Sequence, residues 1–465
     1  MTRQSAHLLR RKALGILLGL CATAAIAQED VDALSQNQAR EALVYALKSN
    51  QIDAAYRLAS GLLQQDPSDP SAHYAMGLIY SGAGDPRAAR KSGRSAYRFA
   101  RTDLQTYSAA SLNAQLAFRE KRFTQAQYWL RKAHTAAPSD VQKHRVVRNF
   151  KQVRSQNPFR FHITGSLAPS SNVNNGSMSK YMIIDGVPAI GVNIGDALAL
   201  SGIEAMVNAR LSYRLRTSSA SETRLVGRFF SRQVALSSEA KDIAPNAKGS
   251  DYSFSLLEAG LRHAFRIQPK GPIWNLGVIA GTAQYGGSTL HDLLRAEAGV
   301  AWTQNKSSGL SLTATNEWRR PEAAPQTRDI YSSLSATYSH KLSWGDQLST
   351  SISLHQTDDA TPIFDSHGAV AALRYTFTQP KGPVRIAAAL KAGMSAYPNY
   401  RVGIIPVPGG RQDISVASEL EFTFHKMHYA GFAPTMTVRA LTTSSNVSRF
   451  DTREYSVSIG IQSAF

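Results

Sequence analysis

Cysteine is almost absent from this chain, which has one, Cys21, among 465 residues. Disulfides therefore cannot stabilise the fold, and a hydrogen-bonded sheet is the better expectation. Long apolar runs are also missing. After residue 27 no stretch reaches the roughly 18 consecutive apolar residues of a membrane helix. This excludes a helical membrane protein but not a transmembrane barrel, whose strands are only half apolar.

Sequence motifs of the common catalytic sites are lacking too. The chain has no Gly-x-x-x-x-Gly-Lys-Ser/Thr loop, no His-Glu-x-x-His pair among its 12 histidines and no Gly-x-Ser-x-Gly elbow. Glu258, Glu419 and Glu421 could form an acid–base pair, but catalysis would need a positioned nucleophile beside them, so pore lining is the preferred interpretation. We expect no enzyme activity, no metal and no cofactor.

The first 27 residues have the pattern of a secretory signal peptide. Four basic residues precede an apolar run, 13–26, and the segment ends in Ala25-Ile26-Ala27, a small-x-small cleavage site. The run is too short for a transmembrane helix of about 20 residues. Cys21 lies inside it and follows Leu20, where a lipoprotein signal would need a small residue. Residues 1–27 are therefore predicted to be a cleaved signal peptide.

Acidic residues are outnumbered in this sequence. The 52 lysines and arginines exceed the 33 aspartates and glutamates, for a formal net charge of +19. In a cytosolic protein this excess would suggest nucleic acid. Because the signal peptide predicts export, we expect no nucleic acid; an acidic client protein or the headgroups of outer-membrane lipids are the better partners.

Residues 28–156 show helical periodicity with markers at one repeat length. Ala55, Ala89 and Ala126 are spaced 34 and 37 residues apart. Around Gly77 and Tyr80 the pattern resembles the tetratricopeptide-repeat consensus, in which small residues let two antiparallel helices approach. We predict three helix pairs, the first at about 36–69 and the third at about 107–140, and a capping helix after Ser139. Together they form a periplasmic α-solenoid over residues 28–156.

The predicted repeats supply an extended groove and no convergent acid–base set, so we expect them to bind a client. A basic stripe from Arg87 to Arg101 recurs mostly at three- and four-residue steps. It is either a docking face for a client, a partner or anionic headgroups, or an ordinary solvated helix face, which is the commoner case. The predicted client-binding residues of groove and stripe are Arg40, Tyr74, Gln115, Arg87, Lys91, Arg94 and Arg98.

From Pro158 the apolar period changes to two. Apolar residues such as Ile203 and Leu211 alternate with charged ones such as Arg210. Charges facing a dry core would be costly, whereas a wetted lumen removes the cost. Stacked β-sandwiches would also alternate, but their strands are shorter and their inner faces avoid repeated charges. Fourteen segments begin near residues 159, 200, 221, 251, 272, 289, 308, 328, 347, 367, 382, 412, 432 and 452.

Residues 157–465 are therefore predicted to be an all-β domain, a 14-stranded antiparallel transmembrane β-barrel. Outer-membrane barrels have short periplasmic turns and long external loops. With the repeats in the periplasm, the odd-numbered connections should be long, and most are; the connection near Gly286-Gly287 is the exception. The predicted lumen-lining residues are Glu204, Arg210, Arg214, Glu258, Arg262, Arg266, Glu419, Glu421 and His425.

The last strand alternates up to a terminal aromatic residue. Such an ending resembles the insertion signal that the barrel-assembly machinery reads in outer-membrane proteins, which makes that machinery an expected partner. A terminal phenylalanine alone is weak evidence, but it follows a signal peptide and thirteen other strands. The predicted assembly signal comprises Tyr455, Ile459, Ile461 and Phe465.

The start of the barrel resembles one known family. Asn157-Pro158-Phe159, Gly165-Ser166-Leu167-Ala168-Pro169 and Ser171-Asn172-Val173-Asn174-Asn175 are similar to the opening barrel strand of the surface lipoprotein assembly modulators, the Slam family. The order of signal, repeats, a strand ending in Asn-Val-Asn and a 14-stranded barrel also matches. The resemblance implies an outer-membrane translocator that delivers a client lipoprotein or secreted protein to the cell surface. A passive porin with an accessory repeat domain is the alternative, and an outer-membrane enzyme is a third.

Overall fold

The computed structural model describes residues 34–425, 427 and 432–463. Contacts divide the chain into two units, Met1–Val147 and Arg148–Phe465. The predicted signal peptide and Phe465 lie outside the described residues. The N-terminal helices are α1 (Gln36–Lys48), α2 (Ile52–Gln65), α3 (Pro70–Gly82), α4 (Pro86–Arg98), α5 (Asp103–Arg119), α6 (Phe123–Thr135) and α7 (Asp140–Gln156).

Helix starts follow from side chains that cap free backbone N–H groups. Asp69 accepts from the amide of Ala72 at 2.8 Å, and proline occupies the first turn of both α3 and α4. The helices pack as the pairs α1–α2, α3–α4 and α5–α6. Ala55, Ala89 and Ala126 are fully buried, so the small residues that recur in the sequence lie where the helices approach. The predicted helix pairs and the helix after Ser139 are confirmed.

Two glycines and one asparagine join the second and third pairs. A Cβ on Gly77 of α3 would lie 2.9 Å from Leu112 of α5, and one on Gly93 of α4 would lie 2.7 Å from Oδ1 of Asn113 of α5. A larger residue at either position would therefore have to displace an α5 side chain. The buried Asn113 side chain donates to the carbonyls of Gly93 at 2.7 Å and Ala109 at 2.8 Å. Its amide is therefore paired in an apolar setting.

The second unit holds a closed antiparallel barrel in which each strand pairs with its neighbours in the chain and the last pairs with the first. Its strands are β1 (Phe159–Ser170), β2 (Gly202–Thr217), β3 (Ser221–Leu236), β4 (Phe254–Phe265), β5 (Ile273–Tyr285), β6 (Ser288–Thr303), β7 (Ser308–Pro321), β8 (Asp329–Lys341), β9 (Gln347–Asp358), β10 (Ser366–Thr376), β11 (Arg385–Tyr397), β12 (Arg411–Thr423), β13 (Phe432–Ser445) and β14 (Thr452–Ser463). The predicted 14-stranded barrel is confirmed, and every strand begins within three residues of its predicted start.

The barrel strands have buried carboxylates on one face and exposed apolar side chains on the other. Glu258 and Glu317 are 4% and 5% exposed, whereas Leu257 and Leu276 are 57% and 51% exposed. In a closed barrel the less accessible face is the inner one, so the charged set lines the lumen. An apolar outside around a polar inside is the arrangement of an outer-membrane barrel. No helix in the described ranges is long and apolar enough to cross a membrane.

Aromatic side chains gather at one end of the outer face. They lie near the even-numbered connections, most of which are short. Along each strand they alternate in step with the exposed apolar residues, so they point outward. Aromatic girdles mark the membrane interfaces of outer-membrane barrels. The residues of this girdle are Phe159, Tyr213, Phe265, Trp274, Trp302, Tyr338, Tyr375 and Phe422.

The Asn-Val-Asn segment lies outside β1, contrary to the prediction that the strand ends in it. β1 stops at Ser170, and Asn172 and Asn174 bind the loop that follows. Asn172 exchanges bonds with Gly176 at 2.8 and 2.9 Å, and Asn174 donates to the carbonyl of Leu198 at 2.8 Å. These side-chain bonds replace ladder bonds and end the strand.

Candidate functional sites in the repeats and the barrel lumen

The first helices of successive pairs line one side of the repeat unit. α1 contacts α3, and α3 contacts α5. Polar bonds join them, because Arg119 donates to Ser81 at 2.8 Å and Arg40 donates to Asp69 at 2.7 Å. Residues one helical turn from such contacts share their side. We call the surface formed by Val44, Leu78, Ser81, Gln115 and Arg119 the groove.

The predicted groove residues differ in what they can offer a client. Arg40 is already paired with the fully buried Asp69. Tyr74 is half-buried, and burial, followed by the neighbouring Tyr107, raises the pKa of its hydroxyl, which is therefore protonated at neutral pH. Gln115 and Val44 are exposed. The available groove surface thus combines apolar and amide groups.

The basic stripe is an exposed face of α4. Arg87, Lys91, Arg94 and Arg98 are all exposed, at spacings that place them on one side of the helix. The other two stripe residues are engaged within the unit: Arg90 pairs with Glu120, and Arg101 with Asp66 at 3.2 Å. The stripe lies on the second helix of its pair, whereas the groove lies on the first helices.

The lumen wall formed by β4 to β7 carries a network of ion pairs that we call the Arg295 network. Arg295 binds Glu258 at 2.6 Å, Glu317 at 2.9 Å and Glu297 at 3.1 Å. Arg262 binds Glu297 at 2.9 Å, and Arg319 binds Glu317 at 2.6 Å. The predicted lumen residues Glu258 and Arg262 therefore meet in one network. Its central residue, Arg295, was not among the predicted lumen residues, although the sequence analysis recognised β6 as an alternating strand that begins near residue 289.

Glycines on β5 allow side chains of β4 and β6 to meet across that strand. Gly277 stands opposite Arg262 and Glu297, and Gly281 stands opposite Glu258. A Cβ on Gly281 would lie 2.5 Å from the carbonyl oxygen of Leu257 and 3.1 Å from Cγ of Glu258. A side chain at this position would therefore separate Glu258 from Arg295.

Gly281→Ala is expected to lower the free energy of unfolding of the barrel by about 1–3 kcal/mol, because the new methyl group meets backbone and displaces Glu258. Urea unfolding in detergent, followed by tryptophan fluorescence, measures this. Gly165→Ala is the matched control, since its Cβ would have no contact closer than 3.8 Å. Equal loss of stability in both variants would contradict the steric account.

Five of the other predicted lumen residues occupy three settings. Glu419 and Glu421 on β12 lie 3.6 and 2.6 Å from Arg374 of β10, which reaches them across the alanines of β11. Glu204 pairs with Arg232 at 3.3 Å. Arg266 directly follows β4, where its amide still donates to the carbonyl of Ala220 at 2.8 Å, and His425 lies two residues beyond β12. Both therefore lie at the ends of their strands.

Loops at the odd-numbered end reach the lumen wall. Val173 and Leu200 of the first connection pack with Ala240 and Tyr252 of the third in a buried cluster. The carbonyl of Tyr252 accepts from the lumen residue Arg232 at 2.9 Å. The first connection also binds the last, through a bond from Ser177 Oγ to the carbonyl of Ser448 at 2.8 Å. Folded loops therefore line the lumen at this end.

Comparison with known proteins finds similarity in fold alone. No protein-family model matches the chain, and no curated protein matches it in sequence. The barrel is similar to a BenF-like porin from Pseudomonas fluorescens (7% identity, 66% of this chain and 98% of that chain, TM-score 0.35) and to OmpT of Vibrio cholerae (9%, 66%, 97%, 0.34). The helices are similar to the type III secretion translocator chaperone SycD of Yersinia enterocolitica (13%, 27%, 90%, 0.24). Similarities this low carry no argument about function.

Proposed function

We propose that this protein is a Slam-like outer-membrane translocator. Its helical unit lies in the periplasm after cleavage of residues 1–27, receives a client lipoprotein or secreted protein, and passes it to the barrel for delivery to the cell surface. The observation that carries the proposal is one chain that joins an exposed repeat groove to a barrel with a charged lumen. A diffusion pore has no need of a peptide-binding unit upstream.

The chemistry of the two surfaces supports a binding role. The groove offers apolar Val44 and Leu78 beside the polar Gln115 and Ser81, a combination that suits an extended peptide better than a small solute. The lumen gives that peptide a wetted path past lipid. The proposal assigns no catalytic step, metal or cofactor, and its partners are the client, the barrel-assembly machinery and outer-membrane lipids.

Deletion of residues 28–155 is the direct test. The proposal predicts that surface display of the client, a lipoprotein or secreted protein encoded beside this chain, falls at least tenfold while the barrel still inserts. Flow cytometry on whole cells measures display, and heat-modifiable migration on a gel measures insertion. Undiminished display would overturn the proposal. A passive channel, the alternative, predicts unchanged solute conductance and no effect on any client.

A milder variant tests whether client display needs the groove surface itself or only the presence of the folded repeats. Val44→Arg with Gln115→Arg adds two charges to exposed groove positions and should reduce client display severalfold, because a cation beside an apolar contact must lose water. Gln64→Arg with Gln65→Arg adds the same charge at exposed positions of α2 and serves as the control. Equal display from the two variants would show that the groove is not the binding surface.

A further inference from the structure

Six arginines share the lumen side of the first four strands in the half nearer the even-numbered connections, whereas Arg232, also on β3, lies in the other half. β1 contributes one, β2 and β3 contribute two each, and β4 contributes one. All have the parity of the buried Glu204 and Glu258, and all lie in the half of the lumen nearer the even-numbered connections. We call Arg160, Arg210, Arg214, Arg224, Arg228 and Arg262 the arginine face.

The strand register places these arginines directly opposite one another on neighbouring strands. Arg210 stands directly opposite Arg228, and Arg214 stands directly opposite Arg224. Arg224 in turn stands directly opposite Arg262. Side chains in such positions start about 4.5–5.5 Å apart at Cβ, and like charges there destabilise a sheet. The fold therefore retains an arrangement that lowers its own stability.

Carboxylates compensate only part of this charge. Glu222 binds Arg224 at 2.5 and 3.0 Å and lies 3.9 Å from Arg214. Glu258 lies 3.6 Å from Arg228 but binds Arg295 more closely, at 2.6 Å.

Arg262 takes its carboxylate partner, Glu297, from β6. Within residues 34–425, 427 and 432–463, neither Arg160 nor Arg210 has an ion-pair or hydrogen-bond partner, and both Arg210 and Arg160 are solvent-accessible from the lumen. Two guanidinium groups without a direct ion-pair partner among the described residues therefore face the lumen on adjacent strands.

We propose that the arginine face is a binding site for oxyanions, the chemistry shared by phosphate groups and the carboxylates of acidic peptides. Guanidinium is planar and donates in pairs to such groups, and it stays charged at any physiological pH. A bound oxyanion offsets the repulsion between neighbouring arginines, so its binding stabilises the folded barrel. The site is independent of the repeats and of whether the barrel carries a protein client.

The test is the thermal unfolding midpoint of the full chain in detergent, with inorganic phosphate compared against sodium chloride at equal ionic strength. A ligand that binds only the folded state raises the midpoint, here by about 2 °C when phosphate is tenfold above its dissociation constant. In Arg160→Gln with Arg210→Gln, we expect this rise to disappear and the midpoint in chloride to stay level or increase. A purely structural role for these arginines predicts a lower midpoint instead.

Arg374→Gln is the matched control, because it removes a lumen arginine that already pairs with Glu419 and Glu421. It should keep the full response to phosphate. A tetraglutamate peptide in place of phosphate distinguishes the sources: a rise with both assigns the face to carboxylates and phosphates alike, and a rise with phosphate alone assigns it to small oxyanions. Equal midpoints in phosphate, tetraglutamate and chloride would overturn the site, as would a full phosphate response in the double variant.

Discussion

Arg295→Gln is expected to lower the free energy of unfolding of the barrel by about 3–5 kcal/mol, the usual cost of removing one partner from a buried ion pair. Arg295 binds three carboxylates, and two of them, Glu258 and Glu317, are almost fully buried. Arg319 still compensates Glu317 in the variant, whereas Glu258 keeps only the longer contact with Arg228. The unpaired charge on Glu258 therefore accounts for most of the decrease in the free energy of unfolding.

Urea unfolding in detergent micelles measures this loss, with Trp274, Trp302 and Trp318 on the barrel strands as reporters. Arg320→Gln is the control, because Arg320 and its partner Asp292 are 64% and 48% exposed and such pairs contribute about 0–1 kcal/mol. Adding Glu258→Gln to Arg295→Gln should recover part of the stability, since it removes the unpaired charge. A double variant less stable than Arg295→Gln would refute this explanation.

Asp69→Ala is expected to lower the free energy of unfolding of the helical unit by about 2–4 kcal/mol. The buried carboxylate has two roles, because it caps the start of α3 through the amide of Ala72 and binds Arg40 of α1 at 2.7 Å. Loss of both bonds frees α1 from α3. Hydrogen exchange of the α1 and α3 peptides, measured by mass spectrometry on the full chain, follows the effect without interference from the barrel tryptophans.

Asp69→Asn separates the two roles. Asparagine caps a helix as well as aspartate does, so this variant keeps the cap and loses the charge, and a smaller loss of about 1–2 kcal/mol is expected. It also releases Arg40 toward the groove. If Arg40 binds the client, Asp69→Asn should strengthen binding in spite of its lower stability. Equal exchange rates in the asparagine variant and the unmodified chain would show that the ion pair contributes nothing.

Prediction from the sequence succeeded where the period of apolar residues shows which face of a strand or helix is turned away from water. The side faced by Glu204, Leu211 or Ile459 follows from parity alone, since successive residues of a strand point to opposite faces. The helix pairs followed from small residues such as Ala89, which only a close helix contact requires. Arg266 and His425 were predicted from the same parity, but alternation does not show that β4 ends at Phe265 and β12 at Thr423.

The sequence by itself determined the two kinds of structure, the number of strands and the charged lumen, because each depends on local periodicity. Only the tertiary structure decided which charges meet. Arg295 binds carboxylates from β4, β6 and β7, and Arg210 faces Arg228 without an ion-pair partner in the part of the chain that the structure describes, because register and barrel closure set these distances. Arg40 was likewise predicted for a client and is held by Asp69, a contact made when α1 packs on α3.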